Sequence, residues 1–586
     1  MRKSLLFLGL AVFTVLLIFA CYFRIERLYG DSAYYLFQLV NDVRFVIEHN
    51  RPISYFVQFI PLLLVKNTFP IDTVILWFSV NEWLFLFMCF LSMIFVFKDH
   101  KGALAILFTY LIGVRYNYFN QVSELIVAMP LVFMTYSILI RNMNWAHVLL
   151  VAIFSGVLIF SHPLYTLVVF LLMALVPLKH SLQHKIKFIS IFVVCAAFVI
   201  LKYLSLGQYE SENISGTSDS TSISDLISHL LVYNYARLIF TLLPAFAGMF
   251  VFIVTIVIFR KKLKNPILLS VFWLFLIGYF SLVMYKYGYH FPKTFEPFER
   301  YLFLLPMVVC LLFFYFVFEH LKSKIAFVLL SLIAIFHLAG LYIYGQKVEN
   351  RYIQFDRALT YARSIPQDKL AFRAENYHLR HYGGDWIMSN ESLLLTAAKN
   401  KSETKQVILY EAIHSHFLNL FNQPEKFLYA PWWDKPISAL NQNYFDLTPG
   451  NLHVVNTDSL QKFLPDSSFR FIKLEMKSKS SFDLKPGEIR FCEITITNTG
   501  QRPLFSGMRA DGICLKIKWT EVNSGEAVIT PFRSPILGDV YGSISQEIGL
   551  EAPTKNGNYK GIIGISFDDN RFIPIQGYGE LIAEVK

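Results

Sequence analysis

Eleven apolar runs separated by short polar turns fill the first 344 residues, and they leave a membrane as the only setting in which this half of the chain can fold. They are Ser4–Phe23, Thr73–Phe97, Ala103–Tyr118, Val122–Ile140, Ala146–Phe160, Leu164–Leu178, Phe188–Leu204, Leu238–Phe259, Ile267–Tyr285, Tyr301–Phe318 and Ile325–Tyr344. A helix needs roughly 20 apolar residues to cross about 30 Å of hydrocarbon, and hydrocarbon offers the backbone no other partners, so such runs are read as helices. Composition agrees: 55% of the chain is hydrophobic, with 57 Phe and 32 Tyr, and only 16% is charged. Soluble domains run at roughly 45–50% apolar and 25% charged. The excess stops near residue 344, and the remainder has the texture of water-facing sequence.

The basic residues orient the array. With the N-terminus inside, the cytoplasmic turns are Lys98–Lys101, Arg141–Asn144, Lys179–Lys187, Arg260–Lys264 and Lys322–Lys324, each carrying Lys or Arg. The opposite connections include QYESENISGTSDSTSISD, acidic and without a basic residue. This is the positive-inside pattern. The first run follows Arg2 and Lys3 like a signal peptide, but it is too long and ends in Cys21, Tyr22 and Phe23 rather than at a small-residue cleavage site, so it reads as a retained helix, with a cleaved signal as the alternative. The His162-Pro163 pair reads either as a luminal turn or as a kink in one longer segment.

Orientation decides the nature of residues 24–70. Pro52–Val65 is apolar enough to span, but a crossing there would turn every later basic turn outward. It is expected to be an interfacial or re-entrant helix, and Arg24–Pro70 one outer loop. Within it Ala33, Leu36, Phe37, Val40, Val43 and Ile47 recur at helical spacing, with Gln38, Asn41, Asp42, Arg44 and Glu48 elsewhere on the wheel. That spacing predicts an amphipathic helix lying flat at the surface. Asp31 stands directly before it, in YGDSAYY, where a carboxylate serves as an N-cap.

A first transmembrane helix, a long outer loop with an aspartate just past the membrane, amphipathic helices in that loop and about ten further crossings resemble the GT-C superfamily of glycosyltransferases, with a layout like the dolichyl-phosphate-mannose mannosyltransferases. The resemblance covers residues 1–344 and implies a polyprenyl-phosphate-sugar donor, an inverting transfer, and a catalytic base at Asp31, with Asp42 as the spare carboxylate. Such chemistry needs a base within reach of the acceptor hydroxyl and cations on the leaving phosphate. The topology puts Lys286, His290, Lys293 and Arg300 on the outer face, in YKYGYHFPKTFEPFERYLFLLP. Glu299, Arg300, Tyr301 and Pro306 form an ERY-x4-P entry to the tenth crossing that is similar to the Arg-Tyr entry of GT-C relatives. Arginine there either pairs with phosphate or anchors the helix at the interface.

Other polar groups in apolar runs need partners. Arg115 and Glu124 flank the outer turn YNYFNQVSE and are candidates to pair with each other or to contact substrate. Glu82 is expected to form a structural hydrogen bond inside the bundle, and His162 to cap a helix end. The loop 207–225 is expected to be a surface connection. No glycine-rich phosphate loop, nucleophile elbow or zinc-type cysteine spacing occurs, so nucleotide-dependent chemistry has no support. A divalent cation stays open as a cofactor.

Residues 345–464 are expected to form an outer α/β domain, with a helix at Glu349–Ser364, strands at Lys369–Phe372 and Gln406–Tyr410, and a helix at Asn390–Lys399. Pro431–Asp434 (PWWD) offers a stacking surface for a sugar or a core contact. Glu411, His414 and His416 fail as a metal set, since two residues apart on a helix lie about 200° around the wheel. Residues 465–586 turn to short alternating runs spaced as in an all-β sandwich. LKPGEIRFCEITITNTGQRP and APTKNGNYKGIIGISF resemble the immunoglobulin-like accessory modules of bacterial surface-polysaccharide proteins, which implies a bacterial inner membrane with the C-terminal domains outside it. Cys492 shares strand parity with Ile494 and Ile496, whereas Cys514 is out of phase with Leu515, Ile517 and Trp519, so no bridge is expected. The net charge of +11 lies largely in cytoplasmic turns and is orientation charge rather than a nucleic-acid surface. Two function classes follow: a glycosyltransferase using a polyprenyl-phosphate sugar and a glycan, lipid or protein acceptor, or a non-catalytic transporter or assembly protein for surface polysaccharide.

Overall fold

The computed structural model describes residues 2–121, 123–141, 143–179, 185–205, 235–263, 266–287, 295–372, 387–409, 423–430, 433–455, 472–476, 481–499, 514–532, 534–536, 543–566, 572–575 and 581–586. Two compact units result, one of residues 1–349 with Ala397–Lys401 and Leu440–Phe445, the other of the remaining C-terminal residues.

The first unit is helical: α1 (Arg2–Tyr22), α2 (Asp31–Asp42), α3 (Ser54–Lys66), α4 (Ile71–Phe95), α5 (His100–Gly113), α6 (Glu124–Val127), α7 (Met129–Leu139), α8 (Trp145–Ser161), α9 (Tyr165–Lys179) and α10 (Lys185–Leu204). There follow α11 (Tyr235–Ile258), α12 (Pro266–Tyr287), α13 (Phe295–Leu302), α14 (Leu304–Leu312) and the long α15 (Ser323–Arg363), whose residues from Asn350 on are counted in the second unit. Among the described residues six helical segments are long and apolar enough to cross a membrane: Lys3–Tyr22, Ile71–Phe95, Lys185–Leu204, Pro266–Met284, Glu299–His320 and Ser323–Arg363. Glu299–His320 is almost wholly buried, which makes it a central element of the bundle, whereas Lys185–Leu204 leaves most of its apolar surface open. Ile325–Tyr344 and Glu349–Ser364 fuse into the single helix α15, since nothing at Gly345 stops propagation.

Three local departures from the expected pattern matter. First, α5 ends at Gly113, five residues before the apolar run does, and Val114 is extended. Second, α2 stops at Asp42 rather than running past Val43, which takes a left-handed conformation (φ 52°). Both backbone groups of Val46 are then bonded by the Gln58 side chain at 2.8 Å, so the chain there is held extended. Third, α2 is not amphipathic in its setting: Ser32 through Asn41 are all buried. Gln38 and Asn41, expected on a wet face, are enclosed, and Asn41 Oδ1 accepts the Asn441 N–H at 3.0 Å. Helix α3 does have two faces. Val57, Gln58, Pro61, Leu62 and Val65 are buried, while Tyr55, Phe56, Phe59 and Leu63 are exposed.

In the second unit β1 (Lys369–Phe372) pairs in parallel with β2 (Gln406–Leu409) on one side and β5 (His453–Val455) on the other; α16 (Met388–Lys399) connects β1 to β2, and β3 (Lys426–Ala430) with β4 (Trp433–Pro436) makes a hairpin. Arg351 and Glu391, both buried, are joined by a two-pronged ion pair at 2.9 and 2.6 Å.

Beyond residue 471 the strands form two sheets around one apolar core. A three-stranded sheet has the order β9-β7-β6, with β6 Ile472–Met476, β7 Ile489–Asn498 and β9 Ser543–Glu551. The larger sheet is built on β8 (Cys514–Glu521), β10 (Gly557–Ser566) and β11 (Leu581–Val585). Ile494, Ile496, Ile548 and Leu550 from one sheet meet Ile517, Trp519, Ile563 and Leu581 from the other. Cys492 belongs to this core; Cys514 lies outside that cluster but is buried too, its Sγ donating to the Ser566 carbonyl at 3.3 Å.

Candidate functional site

Local sequence places Asp31 with care. Gly30 precedes it at φ 62°, ψ −133°, a conformation open essentially to glycine. Asp31 is therefore the first residue of α2, not its cap, and the helix start has no side-chain cap. Its carboxylate turns elsewhere. Oδ2 accepts Arg300 Nη2 at 3.0 Å and Asn120 Nδ2 at 3.5 Å. Among the described residues nothing bonds Oδ1. The Asp31 side chain is 32% exposed and the Arg300 side chain 24%, so both remain reachable from outside.

Arg300 belongs to α13 and comes to Asp31 through the turn between α5 and α6. The early stop of α5 frees the N–H groups of Arg115, Tyr116 and Asn117, which all donate to the carboxylate of Glu299 at 2.9, 2.9 and 3.0 Å. Asn117 adds its Nδ2 to Glu299 at 3.3 Å and accepts Arg300 Nε at 3.4 Å. The next residues of the same turn reach the loop after α1. Asn120 bridges antiparallel to Leu28, and the Gln121 N–H donates to Ser32 Oγ at 2.8 Å.

Beneath this lies a buried pair. Arg27 donates to Glu82 at 2.8 Å and to the Tyr118 carbonyl at 2.7 Å, with its guanidinium 4.0 Å from the centre of the Tyr118 ring. Both charges are essentially inaccessible, so the pair and the added bond compensate the desolvated charges, although Arg27 Nε has no hydrogen-bond partner among the described residues. Glu82 thus has the structural bond expected of it; Arg27, its partner, went unrecognised in the sequence because it sits among loop residues.

A second pair flanks the first. Glu124, at the start of α6, binds Arg51 at 2.9 Å rather than Arg115. The Arg115 guanidinium lies against α15 instead, 3.2 Å from where a Cβ at Gly340 would stand. Burial holds the Tyr35 hydroxyl well above its ordinary pKa, and the nearby carboxylates of Glu124, Asp31 and Glu48 reinforce this, so Tyr35 stays a neutral hydrogen-bond donor. Tyr34 donates to Glu48 at 3.2 Å.

The other candidates distribute as follows. Asp42 closes α2, eleven residues and about 16 Å along the helix from Asp31, and is bound by Arg44 at 3.0 Å and Asn41 at 2.8 Å. It is a helix-end group, remote from the Asp31 pair. Tyr301 follows Arg300 in α13 and its carbonyl accepts the Tyr279 hydroxyl at 2.5 Å. Lys286 lies in the last turn of α12. His290 and Lys293 lie outside the described residues, as do the loop 207–225, Glu411, His414, His416, Pro431 and Trp432. Trp433 stacks on Tyr429 at 6.3 Å and is 43% exposed. His162 ends α8, its Nδ1 accepting the Leu164 N–H at 3.2 Å, as a helix-end histidine should.

Chemically, the arrangement is a tethered carboxylate beside a guanidinium that spends Nη2 and Nε on protein; among the described residues nothing bonds the carboxylate's Oδ1 and nothing accepts from Nη1. A carboxylate of this kind takes a proton from a hydroxyl, and the open edge of the guanidinium binds an anionic oxygen.

No protein-family model and no curated protein matches the chain. Among solved structures, an alkylpurine DNA glycosylase from Pseudomonas fluorescens, bound to DNA containing an abasic-site analogue, aligns over 86% of this chain and 99% of that one at 10% identity. Its TM-score of 0.16 is too low to bear on fold or function.

Proposed function

We propose that this chain is an integral membrane glycosyltransferase of the GT-C type, moving a sugar from a polyprenyl-phosphate donor to a hydroxyl of a glycan, lipid or protein acceptor at the outer face of a bacterial inner membrane. The observation that carries the reading is the Asp31–Arg300 pair, a carboxylate and a cation on a half-open surface. In the reaction Asp31 Oδ1 takes the proton as the acceptor oxygen bonds to the anomeric carbon with inversion. The bond from that carbon to the phosphate oxygen breaks, and the phosphate leaves with the electron pair. In this reading Arg300 Nη1 meets the leaving phosphate, and Lys286, His290 and Lys293, on the stretch that precedes α13 in sequence, are the candidates for further cations; Arg115, turned toward α15, and Glu124, bound to Arg51, are not assigned to the phosphate.

The six long apolar helical segments, with five of the shorter ones, make eleven crossings in this reading; Ser54–Lys66 is the helix left at the surface. Its exposed Tyr55, Phe56, Phe59 and Leu63 suit an interface better than water. The two-sheet C-terminal region is taken as an immunoglobulin-like accessory module held outside the membrane.

The test is donor consumption by the full-length protein in lipid nanodiscs, with a panel of polyprenyl-phosphate sugars, comparing the parent with Asp31→Asn. Loss of at least 100-fold in the variant is expected. Equal consumption by both removes Asp31 as base. A parent inert toward the whole panel sinks the enzyme reading in favour of a non-catalytic transporter or assembly role.

A further inference from the structure

Glu299 is 1% exposed, and among the described residues no cation pairs with it. Backbone amides compensate it instead: three successive N–H groups, from Arg115, Tyr116 and Asn117, converge on its carboxylate. The three N–H groups left over where α5 ends are all satisfied by this one side chain, so the clamp fixes the non-helical turn after α5. The turn in turn fixes one amide side chain. Asn117 Nδ2 donates to Glu299 Oε1 at 3.3 Å, and an amide has one donor end and one acceptor end. With the donor end committed, the oxygen must face the other way, where it accepts Arg300 Nε at 3.4 Å.

We infer that Glu299 and Asn117 are positioning residues: Glu299 sets the orientation of the Asn117 amide, and Asn117 holds the Arg300 guanidinium in the plane that puts Nη2 on Asp31 and turns Nη1 outward. The clamp stands on the geometry alone; its consequence for turnover rests on the glycosyltransferase reading. A guanidinium held at one edge only by Asp31 is free to swing about that bond. The Nε contact removes this freedom, which is what alignment on a leaving phosphate requires. The adjacency of Glu299 and Arg300 in the chain is the economy of the device, because α13 delivers the clamp and the clamped group on one turn.

Two measurements test it on the full-length protein in nanodiscs. The first does not depend on activity: modification of Arg300 by butanedione, read by peptide mass spectrometry, in the parent, Asn117→Ala and Glu299→Gln. Several-fold faster modification of Arg300 is expected in both variants. The second is a double-mutant cycle with Arg300→Lys, following turnover of polyprenyl-phosphate mannose, or polyprenyl-phosphate glucose where mannose is not consumed. Asn117→Ala should lower kcat roughly 10- to 100-fold in the parent background, the range set by losing a hydrogen bond to a charged group. With Lys at 300, which has no Nε fork, the same change should cost less than about 2-fold. Unchanged butanedione reactivity, or equal losses in both backgrounds, overturns the inference and leaves Asn117 a purely structural residue. A parent that consumes neither donor counts against the proposed function, while the butanedione arm still decides the clamp. Where Glu299→Gln does not fold, Asn117→Ala carries both arms, since it leaves the three amide bonds in place.

Discussion

Arg300 Nη2 lies 3.0 Å from Asp31 Oδ2, at a sequence separation of 269. Neither residue spends the contact on closing a void, because both side chains keep a quarter to a third of their surface. A pair so placed is a poor source of stability, as exposed ion pairs contribute about 0–1 kcal/mol. Its value lies in what it holds ready.

Arg300→Lys should therefore separate charge from shape. The guanidinium reaches Asp31 and Asn117 with two different nitrogens, and a single ammonium cannot reproduce the fork. Donor turnover should fall roughly 10- to 100-fold while the melting temperature stays near that of the parent. Parent-like turnover with Lys would show that only the charge matters.

Gly30→Ala probes the placement of Asp31 from the other side. A Cβ there stands 3.2 Å from Asn120 Nδ2, in a backbone conformation that L side chains rarely adopt. A strained residue of this kind costs on the order of 1–3 kcal/mol. The variant should unfold earlier and lose more turnover than its folded fraction explains, because Asn120 also bonds Asp31. Thermal unfolding and donor consumption on the same preparation distinguish the two effects.

The Arg27–Glu82 pair should behave as a buried pair does. Removing one partner strands a charge at a site with essentially no exposure, at a cost of about 3–5 kcal/mol. Arg27→Met and Glu82→Met alone should each lower the unfolding midpoint strongly. The double variant should recover a good part of the loss, and additive losses would contradict the pairing.

Glu26 makes stability depend on pH. Burial, reinforced by Glu349, raises its carboxyl to about 7 from 4.5, with Arg24 opposing. The folded state then holds a proton that the unfolded state has released, so stability falls as pH rises from about 4.5 to about 7 and levels off above. At 1.36 kcal/mol per pKa unit the total is up to about 3 kcal/mol. Unfolding midpoints between pH 5 and 8 should show the decline, and Glu26→Gln should flatten it and be the more stable form at pH 8. An unchanged slope in Glu26→Gln assigns the effect to other groups.

Much of this was readable in advance because it depends on neighbours in sequence. Apolar runs of spanning length, the α/β strands at Lys369 and Gln406, and the alternating strands after residue 471 are patterns of one local period, and local hydrogen bonding satisfies them. Asp31 was legible as a candidate since its position follows from the end of one run and the start of the next. What sequence periodicity misread were endings: Ala103–Tyr118 looks apolar to its last residue, yet α5 stops at Gly113. The cause is distant, for the three amides released there are taken by Glu299.

Sequence alone, then, determined the membrane half, its helices and the loop that carries Asp31, because a chain in hydrocarbon must satisfy its backbone within each segment. Tertiary structure alone decided the partners. Arg115 and Glu124, close in sequence and opposite in charge, do not pair; Glu124 takes Arg51, and Arg300 takes Asp31. Charges choose by distance and desolvation in the folded state, and those are fixed only when segments distant in the chain are packed together.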